Sequence, residues 1–201
     1  MIPNPWDVLS ARLLAGMGFQ ALATSSAASA ATFGCKDGGL TRDQALAHSR
    51  TIVEATDLPV SADLEKGFGN DAESVSETIR MAADAGLVGC TIEDTTGDPE
   101  HPLFEFSLAV ERIAAGAQAA RSVGFPFMLT ARAHQFLYPN PDLHETIRRL
   151  QAFEKAGADV LFAPGLPDLA SVQATCSAPQ RAVALTDTVL FSKSIRVGTT
   201  A

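Results

Sequence analysis

The sequence predicts an α/β protein built on a parallel sheet, and three observations carry that prediction. Short apolar, β-prone runs alternate with helical stretches in units of roughly 30 to 40 residues, with clear runs near positions 19, 59, 88, 126 and 159. Each run is continuously apolar, as strands covered on both faces are. Acids stand where two of the runs end: Val60-Ser61-Ala62-Asp63-Leu64-Glu65 opens into Lys66-Gly67-Phe68-Gly69-Asn70, and Gly89-Cys90-Thr91-Ile92 closes on Glu93-Asp94. Such alternation means right-handed crossovers in a sheet that is either open or closed into a barrel. No Gly-x-Gly-x-x-Gly opens the first helix, which argues against a dinucleotide-binding open sheet. In a parallel barrel the strand ends that carry these acids are where the chemistry sits.

In chain order, the prolines forbid a helix before Trp6, and Met1-Ile2-Pro3-Asn4 reads as the end of a clipped strand. Asp7 to Met17 reads as a helix with Val8, Leu9, Ala11, Leu13 and Leu14 as its apolar face and Gly18 as its stop. Phe19 to Thr24 is a buried strand, followed by a long Ala/Ser/Thr/Gly-rich connection to Gly39; long loops in compact domains are usually functional or mobile. Thr41, with Gln44 three residues on, caps a helix to about Thr56. Asp71 caps the next, to Ala85 with Gly86 as its stop, and strand Leu87 to Ile92 follows. A polar loop, Asp94 to Pro102, leads to a helix from Glu105 to Val123 and a strand from Pro126 to Ala131. Asp142 caps a helix to Ala156, Ala158 to Ala163 is a strand, and Pro167 to Cys176 is a short helix. Beyond it only two apolar runs, Ala182–Leu185 and Val189–Phe191, stand out, so 178–201 reads as irregular within a single domain spanning 1–201.

The 201 residues suffice for one domain with a sizeable core. A net charge of −8 without a Lys/Arg cluster excludes nucleic acid and anionic membrane as partners, and an anionic substrate would need a local cation. Cys35, Cys90 and Cys176 are too scattered for a disulfide framework or a zinc site. No basic leader and no membrane-length apolar run is present, so the expected location is cytoplasmic.

Carboxylates at neighbouring strand ends converge on one small volume, where their repulsion is tolerable if a hard cation such as Mg²⁺ lies between them. The plainer reading makes the same acids caps and solvated turn residues. Cys35 lies beside Lys36 and two residues before Asp37, so it reads either as a reactive thiol or as a packed loop residue. Cys90 reads as core. His134 reads as a proton donor at the strand ends or a solvated loop histidine. Phe127, Phe153 and Phe162 read as core.

Six segments in unbroken order carry a further resemblance. They are Asn4-Pro5-Trp6-Asp7, Ala23-Thr24-Ser25-Ser26-Ala27, Ser61 to Gly69, Gly89 to Asp94, Leu129-Thr130-Ala131-Arg132-Ala133 and Ala156-Gly157-Ala158-Asp159-Val160. Together they resemble the isocitrate lyase/phosphoenolpyruvate mutase superfamily over roughly residues 3–170. The resemblance implies a TIM-type (β/α)8 barrel that binds Mg²⁺, with Mn²⁺ as an alternative, and makes or breaks a C–C or C–P bond in a small 2-oxo or 2-hydroxy carboxylate. It implies Asp63 as direct metal ligand, with Asp37, Glu65 and Glu93 holding the metal through water. Ser25, Ser26 and Ala27 match the segment that binds the substrate carboxylate, and Arg132 matches the arginine at the substrate oxygens. Arg132 and Glu93 are the catalytic candidates; ion pairing of Arg132 with Glu93 or Asp63 is a compatible structural role. Homo-oligomers are implied too, although no exchanged terminal helix is legible after Cys176.

The chain departs from that pattern in three ways. The loop after Glu93 lacks the Lys-Lys-Cys-Gly-His of isocitrate and methylisocitrate lyases and the Lys and Asn of phosphoenolpyruvate mutases. Lys66 stands where many relatives have Asn. An eight-unit barrel wants ~250 residues, so this one is expected to be one or two units short, chiefly at the C-terminus. Expectations are therefore a Mg²⁺-dependent lyase-type enzyme, an oxaloacetate decarboxylase or hydrolase, or a non-catalytic truncated barrel.

Overall fold

The computed structural model describes residues 1–184. Six strands, β1 (Leu22–Ala23), β2 (Val60–Asp63), β3 (Gly89–Glu93), β4 (Met128–Arg132), β5 (Val160–Phe162) and β6 (Ala182–Ala184), form one sheet in sequential order. Every pairing is parallel. The helices are α1 (Val8–Gly16), α2 (Ser26–Thr32), α3 (Arg42–Val53), α4 (Ala72–Asp84), α5 (Phe106–Ser122), α6 (Leu143–Ala156) and α7 (Leu169–Ser177). From α3 onward each packs on the next. A parallel sheet whose order never reverses keeps its crossovers on one side, which is barrel winding rather than double winding. The described residues thus form a half-barrel, and none of their helices is long and apolar enough to cross a membrane.

Local chemistry explains the element starts. Asp7, Ser25, Thr41, Asp71, Asp142 and Asp168 each accept a first-turn backbone N–H at a helix N-cap. The core lies between sheet and helices: Val60, Ala62, Cys90, Ile92, Leu129, Ala131 and Leu161 meet Ile79, Ile113, Leu150 and Phe153. Burying each large aliphatic side chain stabilises by about 1.5–3 kcal/mol. Gly116 sets the helix spacing, since a Cβ there would come within 3.0 Å of both Ile79 and Val75 on α4.

Several expectations are corrected. The connection after Ala23 is not a plain long loop; Ser25 caps α2, which its alanines sustain. The strand expected over Phe19–Thr24 is two residues long, and Met1–Asn4 is tied to it only by Ala23 N–H donating to Pro3 O (3.1 Å) and Asn4 Nδ2 donating to Ala23 O (2.7 Å). On α1 only Ala11 is buried, while Leu9 and Leu13 are exposed. Within the segment from 178, the apolar run that begins at Ala182 supplies β6 (Ala182–Ala184) to the sheet. The run Val189–Phe191 and the question of a terminal helix lie outside the described residues. The strands are not apolar on both faces either: Ser61, Asp63, Thr91, Glu93, Thr130 and Arg132 alternate with the core residues and stay partly accessible. That polar face is where the functional candidates gather.

Candidate active site

Asp63, Glu93 and Arg132 are the last residues of β2, β3 and β4. Register puts Glu93 opposite Arg132 and Asp63 opposite Thr91, so the parallel pairing delivers all three side chains to one edge of the sheet. A cavity of about 560 Å³ opens there, walled in part by Ser26, Asp37, Glu65, Glu93 and Arg132.

Asp63 is the hub. Its Oδ2 accepts from Arg132 Nη1 (2.7 Å), Ser26 Oγ (3.2 Å) and Ser26 N–H (3.4 Å). Its Oδ1 accepts from Thr91 Oγ1 (3.1 Å) and Glu65 N–H (3.2 Å). Burial alone would raise its pKa, but the Arg132 charge and these donors outweigh it and hold the carboxyl below the usual range. Arg132 also lies 3.6 Å from Glu93 Oε2 and 5.0 Å from the ring centre of Phe162. Phe162 is therefore a platform for the guanidinium rather than a core residue. The expected ion pairing of Arg132 is present with both acids.

Glu65 follows Asp63 in a left-handed conformation (φ 51°), as does Phe68 (φ 59°). Non-glycine residues held there cost on the order of 1–3 kcal/mol each, so the surrounding structure imposes this turn. Burial pushes Glu65 up to about 7, with Asp37, Asp63 and Glu93 adding repulsion and Lys66 opposing it. Glu93 is likewise pushed up to about 7 by burial and the Asp63 charge, against the pull of Arg132. The four acids sense one another across a shared space, yet among the described residues no three of His, Cys, Asp or Glu stand close enough to ligate one ion directly.

Other predicted residues fall differently. Of Ser25, Ser26 and Ala27, Ser26 reaches Asp63, while the Ser25 hydroxyl accepts from Ala28 N–H as the cap of α2. Asp94 does not join the acid cluster. It turns away, buried, to Arg149 Nη1 (3.2 Å) and the His134 N–H (2.9 Å). His134 is neither a solvated loop residue nor a cationic proton donor. It is buried, its Nε2 stands 3.1 Å from Glu93 Oε2 without an aligned hydrogen bond, and burial and the Arg132 charge push its pKa down to about 3. Cys35 is exposed rather than packed, with Sγ 3.7 Å from Phe33 O, and Cys90 is core. Lys66 sends its Nζ to Asn70 Oδ1 (2.9 Å) and to Thr96 O.

Sequence reasoning missed Thr91, Thr24 and Tyr138. Thr91 precedes Glu93 by two residues, and the period-2 rule for strands would have put it on the same face. Thr24 Oγ1 accepts from Asp63 N–H (3.1 Å). Tyr138 walls the cavity, and burial and the charges of Glu93 and Asp94 raise its pKa.

These shifts make a pH prediction whose sign differs by group. A glutamate whose folded pKa of about 7 exceeds its unfolded 4.5 binds more protons when folded, so its stabilising contribution falls as pH rises through that interval. His134, moved from 6.5 to about 3, acts oppositely and adds stability as pH climbs from 3 to 6.5. Stability without added cation should therefore fall as pH rises from about 4.5 to 7, since two glutamates lose more than the one histidine gains, and His134→Gln should steepen that fall below pH 6.5. Urea midpoints measured across this range check it. A midpoint in His134→Gln that climbs with pH would show both glutamates already ionised.

The chain is similar to known proteins in both sequence and fold. The family described as phosphoenolpyruvate phosphomutase matches residues 1–197. Probable 2-methylisocitrate lyase 2 of Corynebacterium glutamicum is 33% identical over 172 residues, 82% of this chain and 54% of that protein. Oxaloacetate decarboxylase of Bradyrhizobium diazoefficiens is 30% identical over 187 residues, covering 90% and 63%. Among solved structures, a Burkholderia cenocepacia J2315 protein provisionally classed as a lyase/mutase superposes with a TM-score of 0.89 at 50% identity, covering 92% of this chain and 66% of that one. A phosphonopyruvate hydrolase solved with oxalate and Mg²⁺ gives 0.83 at 26% identity, covering 94% and 67%. This chain spans little more than half the length of the first of these curated relatives and 63% of the second. With the profile matched across nearly its whole length and strand-end residues in register, the chain belongs to the phosphoenolpyruvate phosphomutase family.

Proposed function

We propose that this chain carries the site of a Mg²⁺-dependent lyase-type enzyme acting on a small 2-oxo or 2-hydroxy carboxylate. The observation behind this reading is the gathering of Asp63, Glu93 and Arg132 at the ends of adjacent strands with Asp37 and Glu65 from the loops beside them, two of the acids being pushed to about 7. The donor set suits Mg²⁺. Every candidate ligand is a hard carboxylate oxygen, and the raised glutamates mark negative charge short of a counter-ion. An ion that keeps several of its waters can be held by acids too far apart to ligate it together. Asp63 would hold it directly, and Asp37, Glu65 and Glu93 through water; Mn²⁺ would serve in its place.

When bound, Mg²⁺ would supply Lewis acidity to stabilise negative charge developing on the substrate. Arg132 presents a planar fork to the substrate oxygens, held by Asp63 on one side and Phe162 on the other. The Ser25-Ser26-Ala27 segment would hold the substrate carboxylate with hydroxyl and N–H groups. Glu93, with a pKa of about 7, is placed to hold or release a proton near neutral pH.

A second reading within the same site is favoured by its wall. No cysteine lines the cavity, His134 is neutral, Lys66 in the wall is engaged by Asn70 and Thr96 O, and no lysine or cysteine follows Glu93 in the loop to Pro102. Decarboxylation of oxaloacetate asks less of such a site than aldol-type cleavage, since CO₂ leaves without a base removing an alcohol proton. Assays of oxaloacetate, 2-methylisocitrate and phosphonopyruvate with Mg²⁺ and with chelator separate the readings. Turnover of oxaloacetate alone selects decarboxylation or hydrolysis, and methylisocitrate cleavage selects the lyase. Loss of all turnover together with loss of Mn²⁺ and oxalate binding would leave a non-catalytic barrel. We place the enzyme in the cytoplasm and expect a homo-oligomer, which light scattering checks.

A further inference from the structure

Arg112 belongs to α5, in the helix layer rather than the cavity wall, and it is the largest of the fully buried side chains, 1% exposed. Burial lowers its pKa to about 10, so it remains charged at neutral pH. Among the described residues it forms no salt bridge. Its partners are backbone carbonyls: Nη1 donates to Gly69 O (2.9 Å) and Asp71 O (3.1 Å), and Nη2 donates to Lys66 O. Its guanidinium carbon also lies 4.2 Å from the ring centre of Phe104. A buried cation spent on three carbonyls of one short segment is a costly way to fill space, since an apolar side chain would fill it without desolvating a charge.

The segment it grips begins one residue after Glu65. This is the turn that runs through left-handed Glu65, Gly67 and Phe68, where an unconstrained chain would relax. Phe104 closes the neighbouring loop: its N–H donates to Asp94 O (2.9 Å), and Thr95 bridges Leu103. The two loops are joined a second time, since Lys66 Nζ reaches across to Thr96 O. One loop supplies Glu65 and Lys66 to the cavity wall, and the other supplies Thr95, Thr96 and Gly97.

We propose that Arg112 is a positioning residue for this site, whose guanidinium holds the loop after β2 and, through Phe104, the loop after β3 in the arrangement that presents Glu65 and Lys66 to the cavity. This rests on the cavity being the Mg²⁺ and carboxylate site. The two ideas are separable because loop order can be read without any ligand. Arg112→Lys keeps the charge and most of the volume but loses the planar fork, and Arg112→Met removes every donor.

The test is native-state hydrogen exchange together with Mn²⁺ and oxalate titration, run well below each variant's thermal midpoint. In Arg112→Lys, the amides of Glu65–Asn70 and Thr95–Phe104 are expected to exchange ~10-fold faster or more, in step, while those of β3 and β4 keep wild-type protection. Affinity for Mn²⁺ in the presence of oxalate should fall by ~10–100-fold, as when a metal site loses an outer support. Where Arg112→Met folds, it should exceed the Lys variant in both measures; where it does not, the Lys variant decides. Uniformly faster exchange with unchanged Mn²⁺ affinity would make Arg112 a general stability element and overturn the proposal. So would faster exchange confined to the first loop. A wild-type protein that binds neither Mn²⁺ nor oxalate would refute the functional reading, while the exchange pattern would still decide whether Arg112 couples the loops.

Discussion

Asp63→Asn should abolish measurable divalent-cation binding and take catalysis with it. The change removes one charge from an acid that the structure holds ionised, with its pKa depressed against the pull of burial. It also inserts an NH₂ group among five donors, so at least one hydrogen bond becomes a donor–donor clash. The expected loss of Mn²⁺ affinity exceeds the ~10–100-fold that follows removal of an outer-sphere partner, which is the effect expected for Glu65→Gln or Glu93→Gln. Calorimetric titration of the three variants ranks them. If Asp63→Asn binds Mn²⁺ as well as Glu65→Gln does, the assignment of Asp63 as direct ligand is wrong. Stability should fall too, by about 1–3 kcal/mol, because Arg132 loses its closest counter-charge and buried donors lose their acceptor.

Arg132→Met is expected to have the larger effect on the fold. Arg132 and Asp63 are each 12% exposed at the side chain and 2.7 Å apart, and Glu93 depends on the same guanidinium. Removing one partner of a buried pair costs about 3–5 kcal/mol, because the survivor stays desolvated and unpaired. For a domain of this size that lowers the thermal midpoint by roughly 6–20 °C. The pH dependence identifies the cause. Without Arg132, burial raises Asp63 instead of being overcome, so the variant should recover part of its deficit as pH falls and Asp63 protonates. A deficit independent of pH would mean that Arg132 acts through packing on Phe162 rather than through charge. Arg132→Lys should restore much of the stability and little of the activity, since a point charge cannot replace the fork.

The contrast between Asp63 and Asp94 shows how far the sequence could be read. Both are acids at the end of an apolar run, and both were expected near one cation. Asp63 leaves the sheet on the polar face of β2 and meets Ser26, Thr91 and Arg132, whereas Asp94, one residue past the end of β3, turns to the opposite side and meets Arg149. A strand reverses the direction of its side chains at every residue, so a one-residue offset sends an equivalent acid into the core. His134 makes the same point. Its position after Arg132 suggested solvent or proton transfer, and only the surrounding packing makes it neutral and buried. Arg112 gave no signal at all, because its partners are carbonyls, which every residue carries.

The strand–helix alternation, the caps at Thr41, Asp71 and Asp142, the parallel sheet and the acids and arginine at its strand ends were determined by the sequence alone, because hydrophobic period, capping chemistry and strand–helix alternation are local properties of the chain. The tertiary structure decided which of those side chains share a cavity, which are consumed by buried pairs, and how far each pKa moves. Those quantities depend on distances between residues up to 69 positions apart and on the water that packing removes.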